Sequence, residues 1–309
     1  MASFSPMLSM LGLVLCRVAS LGLSAAPTPT SKNTIIGILM QRCHSEDMKI
    51  LRKYYIPASY VKYLESAGAR VVPVRLYLKD KEYEKLFKSI NGTLFLGGSV
   101  NLMKSGYTHE AKIFYKLAEQ LNPNYFLLFQ SFGNGNYFPT WGTCLGFKEL
   151  TYLVNGESLL TLTDSVGIKM PINFTRGPLQ SRMFQNFPAD LLLSLAIEPL
   201  TANFHKWSLS VKNFTKNEKL KTSFNILTTN TDGCIEFIST MEGYQYSVYA
   251  VQWHPEKAPY EWRKVKGIPH APNAVRAAFD LAEFFVAEAQ KNNHHFESDV
   301  EEGKALIYQ

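Results

Sequence analysis

Short apolar segments alternate with amphipathic segments through the first half of the chain. The apolar segments have β-strand composition and the amphipathic ones repeat at helical spacing, so they predict strands and helices in turn. In chain order they are strand 34–40, helix 55–67, strand 69–75, helix 83–89, strand 93–96 and helix 107–119. This alternation predicts an α/β fold with a mostly parallel sheet and helices on both faces.

The second half of the chain is richer in strands. Two β-like segments flank Thr231-Asp232-Gly233, a sequence typical of a hairpin turn. The pattern predicts strands at 225–229, 235–240 and 248–253, and an amphipathic helix at 274–289. No linker rich in proline, glycine and serine interrupts the pattern, so we expect one domain over residues 25–309.

The first 24 residues have the pattern of a secretory signal peptide. Residues 7–15 form an apolar run of about the right length, and Ser24, Ala25 and Ala26 are small enough for a cleavage site. The run is too short to span a membrane. We therefore expect residues 1–24 to be removed in the secretory pathway, the alternative being a disordered apolar N-terminus.

Three Asn-x-Ser/Thr sequences suit a secreted glycoprotein. They begin at Asn91, Asn173 and Asn213. Asn91 leads directly into a predicted core strand, which makes its glycosylation the most doubtful of the three. Each triplet also arises by chance, so the set supports the signal-peptide prediction only as a group.

The cysteines do not form a disulfide scaffold. Removal of the signal peptide leaves Cys43, Cys144 and Cys234, an odd number that requires at least one free thiol. A bridge between Cys43 and Cys234 stays open at this point, because the sequence gives no distance between them. No histidine and cysteine cluster has the spacing of a metal site.

Charge and composition exclude few classes of protein. The 309 residues are 46% hydrophobic and 19% charged, which suits a globular chain with a full core. The net charge of +6 falls by one when Arg17 leaves with the signal peptide. Basic residues are scattered, without the aromatic interleaving of nucleic-acid binders. A mild positive field favours an anionic substrate, although an ordinary solvated surface is the simpler interpretation.

A candidate nucleophile lies in the sequence Gly142-Thr143-Cys144-Leu145-Gly146, between a β-like run and a helical pattern. Gly-x-Cys-x-Gly at such a corner is typical of a nucleophile elbow, because glycines permit a very tight turn. The following helix N-terminus would favour a thiolate at Cys144. For this pentapeptide alone, a small buried cysteine near a bend is an equally good interpretation.

A candidate base follows the predicted strand 248–253. A cysteine nucleophile needs a base, and the base needs a group to orient it. His254 and Glu256 are two residues apart, so both side chains face the same way in an extended chain. Upstream, Gly98 follows strand 93–96 in a Gly-Gly loop, and its N–H could join that of Leu145 to stabilise an oxyanion.

Together these motifs resemble the class I glutamine amidotransferase fold, a flavodoxin-like three-layer sandwich. Longer segments are similar to the gamma-glutamyl hydrolase family, the folate polyglutamate hydrolases, from about Thr34 to the last residue. These segments are 35–39, 60–70, 204–207 and 254–262. The stretch 121–130 looks like an addition to the family pattern, and Leu96 stands where proline is expected.

The resemblance implies a role for each matching residue. Cys144 matches the nucleophile, His254 the general acid/base and Glu256 the third triad position. His205 matches a histidine near the active site and a candidate for substrate binding, although a buried histidine between two aromatic residues is an equally good interpretation. The resemblance further implies a folylpoly-γ-glutamate substrate, no cofactor, no nucleic-acid or membrane partner, a homodimer, and a lysosomal and extracellular location.

Three alternatives remain open. The chain could be a glutamine amidotransferase subunit that releases ammonia for a synthetase, although the predicted signal peptide argues against this. It could be a secreted binding module without activity, although the complete triad argues against that. Finally, the stretch 121–130 could disable an otherwise active fold.

Overall fold

The apolar segments of the sequence form the centre of an eight-stranded sheet. The structure is a computed structural model that describes residues 34–43, 50, 53–121, 137–177 and 180–308. The predicted signal peptide and all but the first residue of the stretch 121–130 lie outside the described residues. No helix in the described ranges is long and apolar enough to cross a membrane.

The elements alternate as the sequence predicts. In chain order the strands are β1 (Ile35–Leu39), β2 (Gln41–Arg42), β3 (Tyr54–Tyr55), β4 (Arg70–Val74), β5 (Gly92–Phe95), β6 (Thr140–Thr143), β7 (Leu160–Met170), β8 (Asn173–Phe174), β9 (Thr201–Leu209), β10 (Phe224–Thr231), β11 (Glu236–Gly243) and β12 (Val248–Val251). The helices are α1 (Ala58–Glu65), α2 (Asp80–Phe87), α3 (Gly106–Leu121), α4 (Leu145–Asn155), α5 (Ala189–Ile197), α6 (Val211–Lys216), α7 (Glu218–Ser223), α8 (Lys257–Tyr260), α9 (Pro272–Gln290) and α10 (Asp299–Ala305).

The large sheet is mixed, with a parallel half and an antiparallel half. Its strand order is β4–β1–β5–β6–β12–β11–β10–β8. Neighbours from β4 to β12 pair in parallel, and those from β12 to β8 pair antiparallel. Strands β2–β3 and β7–β9 form two smaller antiparallel sheets. The predicted mostly parallel sheet is confirmed at its centre, where the catalytic candidates lie.

Residues of β1 point alternately to two apolar clusters. Ile35 and Leu39 pack with α2, α3 and α4 on one face, whereas Ile36 and Ile38 pack with α1 and α9 on the other. A parallel strand covered on both faces has a continuous apolar sequence, which explains the run at 35–39. The result is the predicted three-layer arrangement of helix, sheet and helix. The described residues belong to one compact unit, Asn33–Gln309.

Two differences from the predicted elements have local causes. Helix α1 begins after Pro57 rather than at Tyr55, because Tyr54–Tyr55 pairs with Gln41–Arg42 as a strand. The antiparallel ribbon β7–β9 was not predicted. It exposes apolar side chains such as Leu162 and Trp207, so no alternation of apolar and polar residues separates its inner from its outer face.

The structure bears differently on the three predicted glycosylation sites. The side chain of Asn91 is buried, and its Nδ2 donates to the carbonyl oxygens of Asn292 and His294. A glycan on Nδ2 would break these hydrogen bonds, so this structure argues against modification of Asn91. Asn173 is exposed at the sheet edge, whereas Nδ2 of the half-buried Asn213 donates to neighbouring oxygen atoms.

The disulfide left open by the sequence does not form. Cys43 is buried and Cys234 is exposed, and both are free thiols. Cys144 is also free and buried. The core and the small sheets therefore hold the described fold together without a covalent cross-link between these cysteines.

A carboxyl group is buried where α3 packs on α4. Glu149 is completely buried, and its Oε2 accepts a hydrogen bond from Thr108 Oγ1 at 3.1 Å. Burial raises the pKa of Glu149 to about 8, although the bond from Thr108 opposes the shift. The folded chain therefore keeps this acid protonated near neutral pH.

We expect Glu149→Gln to stabilise the protein increasingly as pH rises from 5 to 8. Glu149 has an ordinary pKa of 4.5 when unfolded, so in this window the folded chain holds a proton that the unfolded chain has lost. Stability of the native chain then falls by about 1.4 kcal/mol per pH unit through this group. Glutamine is neutral throughout and removes the effect.

Urea unfolding of both proteins at pH 5, 6.5 and 8 measures the difference. Glu157→Gln, at an exposed position just after α4, is the matched control. A stability difference between Glu149→Gln and the native chain that does not change with pH would contradict a protonated Glu149.

Candidate active site

Cys144 occupies the corner between β6 and α4 that the sequence predicts. Its backbone has φ 51° and ψ −94°, a conformation that L-residues rarely adopt. Its N–H donates to the carbonyl oxygen of Val251 at 2.9 Å, and its carbonyl accepts from Lys148 N–H at 3.2 Å. A Cβ at Gly146 would lie 1.9 Å from the carbonyl oxygen of Phe95, so the corner has no room for a side chain there.

His254 and Glu256 lie beside this corner because β12 pairs in parallel with β6. Val251 is opposite Thr143, which brings the residues that follow both strands to the same edge of the sheet. The His254 N–H donates to the carbonyl of Ala202 in β9 at 2.9 Å. His254 Nδ1 lies 2.7 Å from Glu256 Oε1, and both side chains are buried.

The charges of the three side chains shift one another's pKa. Burial raises the pKa of the Cys144 thiol, but the charges of His254 and Lys148 and a hydrogen bond with His254 lower it to about 7. Burial lowers the pKa of His254, but Glu256 and Cys144 raise it to about 9. The pKa of Glu256 is held below its ordinary value by His254, against the effect of burial. The proton therefore rests on His254 and leaves a reactive thiolate at Cys144.

The loop after β5 packs against this group. The Gly97 N–H donates to Tyr60 Oη at 2.8 Å, and Tyr60 Oη lies 3.4 Å from His254 Nδ1. A Cβ at Gly97 would lie 2.6 Å from His254 Cε1 and 3.3 Å from Cys144 Cβ. Glycine is therefore required at position 97 by the close approach of the loop to the catalytic pair.

The role of Gly98 and Leu145 as oxyanion donors stays a prediction. Within the described residues, neither N–H donates to an acceptor of the protein. The Leu145 N–H belongs to the first turn of α4, where N–H groups have no partner within the helix. Gly98 packs closely on Gln41, whose Nε2 lies 3.3 Å from the Gly97 carbonyl and fixes the loop.

His205 lies in β9 with both ring nitrogens engaged. Nδ1 is 2.9 Å from Ser208 Oγ, and Nε2 is 3.2 Å from Asn203 Oδ1. Burial lowers its pKa well below the ordinary range, and the charges of Lys148 and His254 add to this effect. A neutral, fully bonded imidazole suits support of β9, and its predicted contact with substrate stays a prediction.

Sequence reasoning missed several residues around the thiol. Tyr60 and Gln41 are far from the motifs in sequence, so no local pattern connects them to the site. Lys148 could have been found, because it lies in the first turn of the helix that follows the nucleophile. In the described ranges, no three His, Cys, Asp or Glu side chains are placed to hold a metal ion.

Comparison with known proteins shows the family to which this chain belongs. Residues 34–256 match the model of the Peptidase C26 family. The chain is 74% identical to the gamma-glutamyl hydrolase of Bos taurus and 68% identical to that of Homo sapiens, each over 100% of this chain and 94% of the relative. The chain belongs to the gamma-glutamyl hydrolase family.

More distant family members extend the similarity. Gamma-glutamyl hydrolase B of Dictyostelium discoideum is 40% identical over 90% of this chain and 79% of its own length. Among solved structures, the glutaminase domain of Trypanosoma brucei CTPS with bound acivicin aligns with a TM-score of 0.50 at 14% identity, covering 84% of this chain and 95% of that one. This likeness confirms the predicted class I glutamine amidotransferase-like fold.

We expect Gly97→Ala to slow alkylation of Cys144 by iodoacetamide at pH 7 by ~10-fold or more. The new methyl group would displace His254, so the thiol would lose the charge that lowers its pKa and the thiolate fraction would fall. Peptide mass spectrometry distinguishes Cys144 from Cys43 and Cys234. Gly303→Ala is the control, because a Cβ there meets nothing within 4 Å. Unchanged alkylation in a folded Gly97→Ala protein would refute the close packing.

Proposed function

We propose that this gamma-glutamyl hydrolase family member cleaves γ-glutamyl bonds with Cys144 as its nucleophile. The observation that carries the proposal is the buried group of Cys144, His254 and Glu256, whose charges produce a thiolate beside an imidazolium. Family membership makes hydrolysis of a γ-glutamyl amide the reaction to which this group is best suited.

The reaction has two stages. The Cys144 thiolate attacks the γ-carbonyl carbon, and the N–H groups of Gly98 and Leu145 stabilise the negative oxygen that forms. His254 gives its proton to the leaving nitrogen as the C–N bond breaks, which leaves a thioester on Cys144. Neutral His254 then takes a proton from water, whose oxygen attacks the thioester and releases the carboxylic acid and the thiolate.

Glu256 keeps the imidazole in the orientation this sequence needs. Its Oε1 contacts Nδ1, so Nε2 is the nitrogen left for proton exchange with the thiol and the leaving group. The buried carboxylate also stabilises the imidazolium before attack. Loss of Glu256 would therefore weaken catalysis without removing the nucleophile.

The substrate class that we propose is a folate poly-γ-glutamate. The family resemblance and the net positive charge of the chain support it, because each γ-linked residue of such a tail carries a free α-carboxylate. We further propose that the mature chain is a homodimer and that it is lysosomal and secreted. The apolar run at 7–15 and the exposed Asn173 support the secretory route.

We expect Cys144→Ala to reduce hydrolysis of a folate triglutamate by at least about 10³-fold, because the covalent route is lost. The rate is measured by incubating the substrate with the purified chain 25–309 and quantifying the released products by chromatography. Cys234→Ala removes an exposed thiol far from the site in sequence and is the control that should stay active. Full activity in Cys144→Ala, or a native chain that releases ammonia from glutamine but spares the folate, would overturn the proposal.

Glycan mapping tests the secretory proposal. In a secretory host we expect a glycan on Asn173, which is exposed, and none on Asn91, whose Nδ2 is bonded inside the fold. Peptide mass spectrometry before and after deglycosylation reads both positions in one sample. Secreted, folded protein that carries a glycan on Asn91 would show that its burial has been assigned wrongly.

A further inference from the structure

The loop after β5 is held by side chains from three separate elements. The Leu96 carbonyl accepts a hydrogen bond from Tyr107 Oη of α3 at 3.0 Å. The Gly97 N–H donates to Tyr60 Oη of α1 at 2.8 Å, and the Gly97 carbonyl lies 3.3 Å from Gln41 Nε2 of β2. Gln41 Nε2 also lies 3.4 Å from the Leu96 carbonyl. Both polar groups of Gly97 are therefore bonded to side chains from outside the loop.

Gln41 is the member of this group that fixes the direction of a peptide plane. It is 1% exposed, and its carboxamide lies directly against Gly98, where a Cβ would be 1.8 Å from Oε1. In a trans peptide the carbonyl and the following N–H lie in one plane and point in opposite directions. No peptide in the described ranges is cis. Because Gln41 holds the Gly97 carbonyl, the Gly98 N–H points away from Gln41.

The loop that carries this peptide lies against the catalytic pair. A Cβ at Gly97 would be 3.3 Å from Cys144 Cβ and 2.6 Å from His254 Cε1. Gly98 is exposed, and within the described residues its N–H has no acceptor in the protein. This N–H is therefore available to an oxygen atom of a substrate held at Cys144.

Two adjacent glycines leave the direction of this peptide undefined unless something holds it. Neither Gly97 nor Gly98 has a Cβ, so rotation of the peptide between them meets little steric resistance. The reversed peptide would turn the Gly97 carbonyl, with its partial negative charge, to where the Gly98 N–H had pointed. Reversal would also break the hydrogen bond from Gln41, so this side chain favours one of the two directions.

We propose that Gln41 is a positioning residue that holds the Gly97–Gly98 peptide with the Gly98 N–H directed at the oxyanion formed during attack by Cys144. This inference rests on the proposed hydrolysis of γ-glutamyl bonds. Gln41 acts through the backbone of the loop rather than on the reacting atoms. Glutamine suits the task because its amide donates a hydrogen bond without placing a charge beside the thiolate.

The test compares two reactions of Cys144 that differ in their need for an oxyanion donor. Hydrolysis of a folate triglutamate passes through a tetrahedral intermediate with a negative oxygen, which backbone N–H groups stabilise. Alkylation by iodoacetamide forms a sulfur–carbon bond at a CH2 group and releases iodide, so it needs the thiolate but creates no oxyanion. The ratio of the two rates therefore reports on the oxyanion donors separately from the thiolate.

Two variants remove the donor in different ways. Gln41→Met keeps the length of the side chain without an N–H group, and Gln41→Asn keeps the amide but is shorter by one methylene group. Gln185→Met changes an exposed glutamine before α5 and is the matched control. Cys43 is buried two residues after Gln41, so its protection from alkylation shows that this segment remains folded. The variant that keeps Cys43 protected decides the test.

We expect Gln41→Met to lower kcat for the triglutamate by ~10-fold or more, because loss of one oxyanion donor costs about 10²- to 10³-fold. KM and the alkylation rate of Cys144 should stay within ~2-fold of the native values, since neither depends on an oxyanion. Gln41→Asn should behave like Gln41→Met, because its shorter amide does not reach the Gly97 carbonyl. Gln185→Met should match the native chain in both reactions.

Three results would overturn the proposal. Equal losses in hydrolysis and alkylation would show that Gln41 acts on the thiol. Exposure of Cys43 in both variants would show that Gln41 supports the fold rather than the direction of one peptide. If the native chain cleaves the triglutamate and both Gln41 variants cleave it equally fast, only the role of Gln41 is refuted.

The same experiment also separates this inference from the proposed function. Alkylation of Cys144 proceeds whether or not the chain is a hydrolase. If the native chain is alkylated at Cys144 but does not cleave the triglutamate, the proposed function fails and the inference about Gln41 falls with it.

Discussion

The parallel pairing of β6 with β12 is the constraint on which the site depends. Its last hydrogen bond, from the Cys144 N–H to the Val251 carbonyl, aligns two strands that are far apart in sequence. The thiol then follows one strand and His254 follows the other, at the same edge of the sheet. This bond also holds one side of a strained φ of 51°, while the first turn of α4 holds the other. A shift of one residue in register would turn the adjoining side chains to the opposite face and separate the pair.

Burial makes the charges of the site dependent on one another. It disfavours both a thiolate at Cys144 and an imidazolium at His254, so neither ion would persist alone in this position. Their proximity and the Glu256 carboxylate reverse that preference. Main-chain contacts provide the necessary precision, since the Ala202 carbonyl fixes His254 and the Gly97 loop closes against the imidazole. Because the site is buried, the charged forms of Cys144 and His254 persist only when both residues and Glu256 are present together.

The sequence predicts the sheet and the catalytic candidates better than it predicts the residues that pack around those candidates. Strand and helix alternation follows from periodicity, and Cys144, His254 and Glu256 stand in short motifs whose geometry is local. The roles of Tyr60 and Gln41 depend on how distant elements pack, which no local pattern encodes. The β7–β9 ribbon escaped prediction because its apolar side chains are partly exposed. Asn91 shows the opposite case. Its glycosylation triplet is visible in the sequence, whereas the burial of its side chain is a property of the fold.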